Sequence, residues 1–584
     1  MGSFFKVFFA CLLAILVAGF LATMVLVGLA GILKTSDKPV VKSNTILVLD
    51  ISQRIAEQGI VEEFDPVSFS FQNHPGLQDI ISAIDHARGD SLVKALYLKG
   101  RRNSLGFAAS QELGEALDRF TAAGKKVVAF TDMMPQRVYE VFHHASEVYV
   151  QPGGLVEWAG LYVEVMFFKN LLDRLYIKPE IFYAGQFKSA TEPFRLNKMS
   201  EPNRLQYRAL IEDIYNSLAQ SIQQHRGVDS AKLNEVANNM QVQTAEQALE
   251  KGLIDEMLYE DGVRERLKTI AGQKKVADIS FMKLADYYEA TRKYKSGNRI
   301  AVVYADGSIV DGKGEEKDIA SDKYRNILEE LRADDKVKAV VLRVNSPGGS
   351  AIASEVIWRE LELMKKEKPV VVSMGNYAAS GGYYISCGAD SIFAQPNTLT
   401  GSIGVFTIMM DAGKMFNDKL GINFDGVGTH QYADYGNIAR PLSPLEKQVT
   451  QQSIDSIYST FKSRVASGRK LSPATVDSLA QGRVWSGTDA LANKLVDQLG
   501  GLKEAVACAA RMAKLDDYTL REFPKHTNLF ERLLGKSDEP EASSMRVIEK
   551  QLLPQHAGWL REYRSLSSMV NIPQARLPFV LQYP

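Results

Sequence analysis

Short β-branched apolar runs alternate with longer amphipathic stretches along most of this chain. In its second half, Ile300–Tyr304, Ala339–Val344 and Val370–Met374 predict buried strands. Between them, Asp322–Ala333 and Ser354–Lys365 repeat apolar residues at helical spacing and predict amphipathic helices. Such alternation is typical of parallel βαβ units, which bind ligands outside the carboxyl ends of their strands. The pattern therefore predicts an α/β fold.

The sequence contains this pattern of strands and helices twice. Val93–Leu98 corresponds to Val337–Leu342 at an offset of 244 residues, and further matches keep register over about two hundred residues. A duplication with loop insertions explains this register, so we expect two tandem α/β repeats, residues 44–290 and 298–515. The tail, residues 525–584, is punctuated by proline and charge, and the sequence assigns it no role.

An uncharged apolar run covers residues 7–33, after a short segment of residues 1–6. A helix of that length spans about 40 Å, more than the roughly 30 Å hydrocarbon core of a bilayer, and predicts a transmembrane anchor. The alternative is a cleaved signal peptide, whose apolar core is shorter, about 7–15 residues. Lys6 precedes the run and Lys34 and Lys38 follow it, so the charges leave the orientation open.

Composition narrows the possible functions. The 584 residues exceed what one core accommodates, and 69 Lys+Arg balance 69 Asp+Glu, so no net charge favours nucleic acid. The 3 cysteines show no disulfide or metal-binding spacing. His143 and His144 are adjacent, so we expect them to point in different directions and chelate poorly. No metal or cofactor is predicted.

A candidate nucleophile follows the strand Val370–Met374. A turn of small residues leads into an apolar helical stretch and places Ser380 at a helix N-terminus, where free N–H groups stabilise an oxyanion. Gly381 and Gly382 permit close approach of a substrate backbone. The alternative is an ordinary helix N-cap. The first repeat has Gln136 at the corresponding position and lacks both glycines, which favours the catalytic interpretation.

A second glycine-rich loop, Asn345–Ser350, follows the strand Ala339–Val344. Its Pro-Gly pair is common in turns. The alternative is an oxyanion loop in which the N–H of Gly348 or Gly349 faces the substrate carbonyl. The corresponding segment of the first repeat, residues 101–106, lacks the Pro-Gly-Gly sequence, and this difference favours the oxyanion loop.

A serine nucleophile needs a base, and no histidine stands out near Ser380. Lys188, in the first repeat, has aromatic residues on both sides in sequence: Phe182, Tyr183, Phe187 and Phe194. Burial among apolar groups lowers the pKa of a lysine from about 10.4 towards neutrality and makes it a usable base. The alternative is a surface lysine. The second repeat has Gln431 at this position, so each repeat keeps one half of a Ser–Lys pair.

Four motifs together resemble the bacterial signal peptide peptidases of the protease IV type, peptidase family S49. They are Asn345–Gly349, Ala378–Tyr384, Leu399–Gly404 and Phe187–Phe194. The resemblance covers about residues 44–515 and includes the long, internally duplicated form with an N-terminal anchor. It implies two tandem Clp/crotonase-like α/β domains.

The resemblance also implies a membrane-anchored serine endopeptidase that degrades cleaved signal peptides and other hydrophobic peptides. Its site would comprise Ser380 as nucleophile, Lys188 as general base, Ser402 orienting the lysine, and Gly348, Gly349 and Gly381 around the oxyanion. The implied protein is a homo-tetramer or another ring. It crosses the bacterial inner membrane once, with its catalytic domains on the outer, periplasmic face. No cofactor, metal or nucleic acid is implied.

Two other functions stay open. A crotonase-like acyl-thioester enzyme would use the same oxyanion loop, but it needs neither the Ser380–Lys188 pair nor an anchor. A non-enzymatic membrane scaffold could also be built on a protease-derived fold.

Overall fold

The protein is described here from a computed structural model, which covers residues 7–19, 39–65, 70–292, 297–315, 317–525 and 573–577. Residues 7–19 form a helix with an exposed apolar surface. Within the ranges given above, no helix combines the length and the apolarity needed to cross a bilayer. The predicted anchor, residues 7–33, lies partly outside the described residues.

The described residues of the first half form nine strands. They are β1 Thr45–Asp50, β2 Ile60–Asp65, β3 Ser70–His74, β4 Val93–Lys99, β5 Lys126–Met134, β6 Glu147–Val156, β7 Lys178–Ala184, β8 Glu256–Met257 and β9 Ser280–Lys283. Its helices are α1 Leu77–Gly89, α2 Phe107–Ala122, α3 Gln136–Phe142, α4 Lys169–Arg174, α5 Glu192–Arg195, α6 Glu201–Arg226, α7 Ser230–Asn238, α8 Ala245–Lys251, α9 Glu260–Ile270 and α10 Leu284–Thr291. The second half repeats this alternation of strands and helices.

Its strands are β10 Arg299–Asp306, β11 Ile309–Val310, β12 Ile319–Ala320, β13 Val337–Ser346, β14 Gly348–Ser350, β15 Val370–Ala379, β16 Ser391–Ala394, β17 Leu399–Gly401, β18 Val405–Asp411, β19 Val484–Ser486, β20 Gln498–Leu499, β21 Thr519–Phe523 and β22 Gln574–Arg576. Its helices are α11 Ser321–Ala333, α12 Ala351–Met364, α13 Gly381–Ser386, α14 Pro444–Arg469, α15 Pro473–Leu479, α16 Gly487–Ala492 and α17 Leu502–Met512. The three strands and two helices predicted between residues 300 and 374 correspond to these elements, and only the second helix ends earlier than predicted, at Met364 instead of Lys365.

The two halves share one sheet topology, as expected of a duplication. The first sheet runs β8-β6-β5-β4-β1-β9, and the second contains the matching path β20-β16-β15-β13-β10-β21. All pairings along both paths are parallel. Strand β21, Thr519–Phe523, follows residue 515, the predicted end of the second repeat, and pairs with β10 at the edge of this sheet.

A third sheet joins the halves and has the order β12-β11-β14-β22-β18-β7. Strand β7 of the first half pairs antiparallel with β18 of the second along its whole length, from Ala184 opposite Val405 to Lys178 opposite Asp411. Antiparallel pairing fixes the register of every side chain in both strands. The segment that follows β7, which contains Lys188, therefore lies against the second half.

A buried ion network also connects the halves. Arg343, on β13, is only 1% exposed and donates to Glu57 at 2.9 Å and to Glu112 at 2.7 Å, both in the first half. It also donates to Ser373 Oγ at 2.9 Å. Burial opposes the charge on Arg343, but the two carboxylates outweigh that effect and raise its pKa above the ordinary value. The network therefore depends on a permanently charged arginine at the junction.

We predict that Arg343→Ala destabilises the protein by about 3–5 kcal/mol, because it leaves two buried carboxylates without their counter-charge. The matched control is Arg325→Ala, which removes an exposed arginine 3.5 Å from Asp322 and should cost less than about 1 kcal/mol. Denaturant unfolding of both variants measures the difference. Equal stability of the two variants would contradict a structural role for the network.

Candidate active site

Ser380 lies at the turn between strand β15 and helix α13. Its backbone has φ 55° and ψ −111°, a strained conformation for a residue with a side chain. The turn is held by a hydrogen bond from the N–H of Ser380 to the carbonyl oxygen of Gly401, at 2.7 Å. A strained strand-to-helix turn presents a serine hydroxyl to one side of a sheet, as in other serine hydrolases. The predicted location of Ser380 at a helix N-terminus is confirmed.

Lys188 reaches the same point from the other half. Its Nζ lies 2.7 Å from Ser380 Oγ, 3.0 Å from Ser402 Oγ and 3.0 Å from the carbonyl oxygen of Ser402. Ser402 is fully buried and is held by its own N–H, which donates to the carbonyl oxygen of Arg483 at 2.7 Å. The structure thus brings the three side chains predicted for the dyad and its support together within one chain.

Lys188 is one of the largest fully buried side chains among the described residues, at 1% exposure. Burial lowers its pKa well below the ordinary lysine value. The three atoms within hydrogen-bond distance of its amine belong to uncharged groups, so no counter-charge in this contact set offsets the effect of burial. A neutral amine accepts a hydrogen bond from the Ser380 hydroxyl, which is the geometry of a general base.

The prediction that Lys188 is buried is confirmed. Its amine contacts Ser380 and Ser402, and the glycines that approach its stem also lie in the second half. A Cβ built at Gly482 would lie 2.8 Å from Lys188 Cβ, and one at Gly404 would lie 3.1 Å from Lys188 Cδ. Tyr183, by contrast, is 37% exposed.

The predicted oxyanion glycines occupy different environments. Gly348 has φ +99°, and a Cβ built on it would lie 2.8 Å from the backbone nitrogen of Gly381, so the two backbones approach closely. The N–H of Gly348 donates to Ser346 Oγ at 3.1 Å. Gly349 lies in β14 opposite Ile309 of β11. Gly348 and Gly381 therefore border one narrow space beside Ser380, and Gly349 lies one residue further along.

The positions corresponding to the dyad in the other repeat have other uses. Gln136 is buried, and its Oε1 accepts hydrogen bonds from the N–H groups of Ala159, at 3.1 Å, and Gly160, at 2.9 Å. Gln431 is exposed. The complementary replacement seen in the sequence thus corresponds to one structural glutamine and one surface glutamine.

The expectation for His143 and His144 is wrong in one respect. The two rings do lie close together, and His225 of α6 joins them, with one nitrogen of each ring within 4.8 Å of the others. His144 and His225 both contact Asp118 Oδ1 at 2.9 Å, and His143 contacts Ser221 Oγ at 2.7 Å. The third ring, that of His225, comes from about 80 residues further along the chain, so the adjacent pair His143 and His144 gave no sign of it.

Other residues at the site were missed for a similar reason. Ser346, Gly404 and Gly482 contact the site through segments that meet only in the folded chain. Strand β22, in the tail that had no assigned role, pairs with the oxyanion loop. The Asn345–Gly349 and Leu399–Gly404 motifs were usable signals for Ser346 and Gly404, whereas nothing in the local sequence marked Gly482 or β22.

Comparison with known proteins identifies the family. The sequence pattern of peptidase family S49 matches residues 119–274, which contain Lys188, and residues 362–516, which contain Ser380 and Ser402. Protease 4 of Haemophilus influenzae is 34% identical over 526 residues, which are 86% of this chain and 84% of that protein. The chain belongs to peptidase family S49.

Other relatives of this S49 peptidase agree. Protease 4 of Salmonella typhi is 33% identical over 521 residues, covering 86% of this chain and 84% of that protein. A putative signal peptide peptidase SppA of Enterococcus faecium is 35% identical over 248 residues, covering 41% of this chain and 72% of that protein. The Clp protease pattern matches residues 292–400. The S49 chain is therefore a serine peptidase with two S49 repeats and a Clp-like α/β fold.

Proposed function

We propose that this S49 peptidase cuts peptide bonds with Ser380 as the nucleophile and Lys188 as the general base. The observation that carries the proposal is the 2.7 Å contact between Lys188 Nζ and Ser380 Oγ, made by a buried lysine whose pKa is lowered. A serine hydroxyl needs such a base to attack a carbonyl at neutral pH. Ser402 holds the amine in place through its hydroxyl and carbonyl oxygens.

In the first step, Ser380 Oγ attacks the carbonyl carbon of the substrate while Lys188 takes the hydroxyl proton. The negative charge moves to the carbonyl oxygen, in the space bordered by Gly348 and Gly381, at the N-terminus of α13. Lys188 then gives its proton to the leaving amine, and water hydrolyses the acyl-enzyme. A single group acting as base and then as acid suffices, as the histidine does in a serine triad.

The substrates that we propose are hydrophobic peptides, including signal peptides left after their cleavage from secreted proteins. A buried apolar cluster adjoins Ser380 through Ala379, and its members come from both halves: Phe107, Leu210, Ile214, Ala379, Leu399, Val484 and Leu577. The name of the Enterococcus relative points to the same substrates. Neither a crotonase-like acyl-thioester enzyme nor a non-enzymatic scaffold would need the contact between Lys188 and Ser380.

We further propose that residues 7–33 anchor the enzyme in the bacterial inner membrane, with both catalytic halves on the outer, periplasmic face and several chains assembled in a ring. The support is the uncharged apolar run in the sequence. An anchor of this kind would hold the cleft close to the bilayer in which signal peptides remain.

Ser380→Ala should abolish peptidase activity and leave a folded protein, because it removes only the attacking hydroxyl. Washed bacterial membranes that contain this variant should retain both the protein and its signal-peptide fragments, which peptidomics would measure against the wild type. The control is Ser386→Ala, which removes a buried hydroxyl bonded to Gly382 at 2.6 Å in the same helix, and should stay active. Near-normal turnover by Ser380→Ala would contradict the assignment of Ser380 as the nucleophile.

The same membranes test the proposed anchor. An alkaline wash strips proteins that are only bound to the membrane surface, so release of the enzyme by such a wash would contradict anchoring by residues 7–33.

Lys188→Arg should be as inactive as Lys188→Ala, with a loss of about 10²–10⁴-fold in kcat, because arginine keeps the charge but cannot act as a base. Because burial lowers the pKa of Lys188, the wild-type rate should fall with acidification through a pKa below the ordinary lysine range. The control Lys169→Arg changes an exposed lysine paired with Asp173 and should have no effect. Substantial activity of Lys188→Arg would show a structural or electrostatic role instead.

A further inference from the structure

Three histidine rings that the proposed mechanism does not use meet at the end of helix α6. His143 directly follows α3, His144 is the next residue, and His225 lies in the last turn of α6. The ring centroid of His144 lies 4.1 Å from that of His143 and 4.4 Å from that of His225. In the described part of the chain, no other group of three or more His, Cys, Asp or Glu side chains brings its ligand atoms together in this way. Imidazole nitrogens are common ligands of transition metals, so the cluster has the donors of a metal site.

Hydrogen bonds to the backbone orient two of the three rings. The Nδ1 of His143 lies 2.8 Å from the carbonyl oxygen of Tyr139, and the Nδ1 of His225 lies 2.8 Å from the carbonyl oxygen of Ser221. Because a carbonyl oxygen only accepts, each of these nitrogens carries the proton, and the Nε2 of a neutral ring keeps its lone pair. Histidines that bind metals are held in the same way, with one nitrogen donating to a carbonyl or carboxylate and the other coordinating the ion.

Asp118 of α2 adds a fourth donor atom to the cluster. Its Oδ1 lies 2.9 Å from Nδ1 of His144 and 2.9 Å from Nε2 of His225. Because the Nδ1 of His225 already donates to Ser221, the Nε2 of the neutral ring and the carboxylate oxygen face each other with lone pairs. A proton on His225 would satisfy this one contact, whereas a metal ion would satisfy the carboxylate and the three rings together.

The cluster lines a cavity of about 270 Å³, which has room for an ion and for water bound to it. Glu140 lines the same cavity; it is buried, and its Oε1 has no hydrogen-bond partner among the described residues. A buried carboxylate oxygen normally has a donor, and water bound to an ion in this cavity would supply one. His225 is exposed, so an ion can reach the cluster from solvent.

We propose that this cluster binds one divalent transition-metal ion, for which zinc is well suited, through four ligands: His143, His144, His225 and Asp118. Tetrahedral zinc has bonds of about 2.0–2.2 Å to nitrogen and oxygen, which place its ligand atoms about 3.3 Å apart. One nitrogen of each ring already lies within 4.8 Å of the others, so the cluster needs only a small contraction around the ion. Magnesium and calcium prefer sites built from oxygen alone and do not suit this donor set.

Such an ion would tie the end of α6 to α2 and to the residues after α3. Near its other end, α6 contacts the second half, where Oε1 of Gln206 accepts a hydrogen bond from the N–H of Val484 at 2.8 Å. Val484 directly follows Arg483, whose carbonyl oxygen holds the N–H of Ser402. Metal binding therefore stabilises a helix that runs from the cluster to the segment supporting the dyad.

Isothermal titration calorimetry with Zn²⁺ tests this proposal on the full chain, purified without a polyhistidine tag and stripped with a chelator. The wild type should bind one zinc ion per chain in the presence of excess Mg²⁺, and zinc should raise its melting temperature. Loss of a group that only supports a metal ligand costs about 10–100-fold in affinity, so His225→Ala, which removes a ligand at an exposed position, should weaken binding at least tenfold. Failure of the wild type to bind zinc at one saturable site would overturn the proposal.

Matched variants show whether the ion lies in this cluster. Asp118→Asn keeps the shape of the side chain and removes its charge, so it should also weaken zinc binding. The control His430→Ala removes an exposed ring bonded to Thr429 and should bind zinc like the wild type. Equal zinc affinity of the wild type and His225→Ala would show that the ion binds elsewhere and the proposal is wrong. Ser380→Ala should bind zinc normally, so this test is independent of the proposed peptidase mechanism.

Discussion

The burial of one lysine amine without an acidic partner is the interaction on which the site depends. Lys188, at 1% exposure, forms no ion pair with any residue that the structure describes, and burial lowers its pKa. Such burial costs several kcal/mol for a charged amine, so it favours the neutral form that a general base requires. The pairing of β7 with β18 and the network around Arg343 hold the two halves together around this amine. A chain that lost the closure of its halves would lose its base.

Duplication explains how this closure arises within one chain. Both halves keep the same parallel sheet, but the strand that leads to Lys188 pairs with the other half. Two sites became one, and the surplus positions took other uses: Gln136 accepts two backbone N–H groups, and Gln431 faces solvent. Because the chain itself holds the halves at high effective concentration, the composite site needs no association between subunits.

The sequence predicted those features of the structure that produce a local pattern of residues or a difference between the two repeats. The strands and the turn at Ser380 follow from apolar periodicity, and Lys188 followed from comparing the two repeats. Other features depend on segments distant in sequence and had no such signal. In the sequence, Arg343 looks like an ordinary strand residue, because Glu57 and Glu112 come close to it only in the folded chain. Ala575 and Gly349, which pair in the third sheet, lie more than two hundred positions apart in sequence.

The central claim is that one chain supplies both halves of the dyad. The direct measurement is the peptidase activity of a mixture in which Ser380→Ala and Lys188→Ala chains, with different tags, are co-expressed and purified through both tags. Every chain in that mixture lacks one partner, so the account predicts that it stays as inactive as either variant alone. Recovery of a sizeable fraction of the wild-type rate would show that the lysine of one chain serves the serine of another, and would contradict the account.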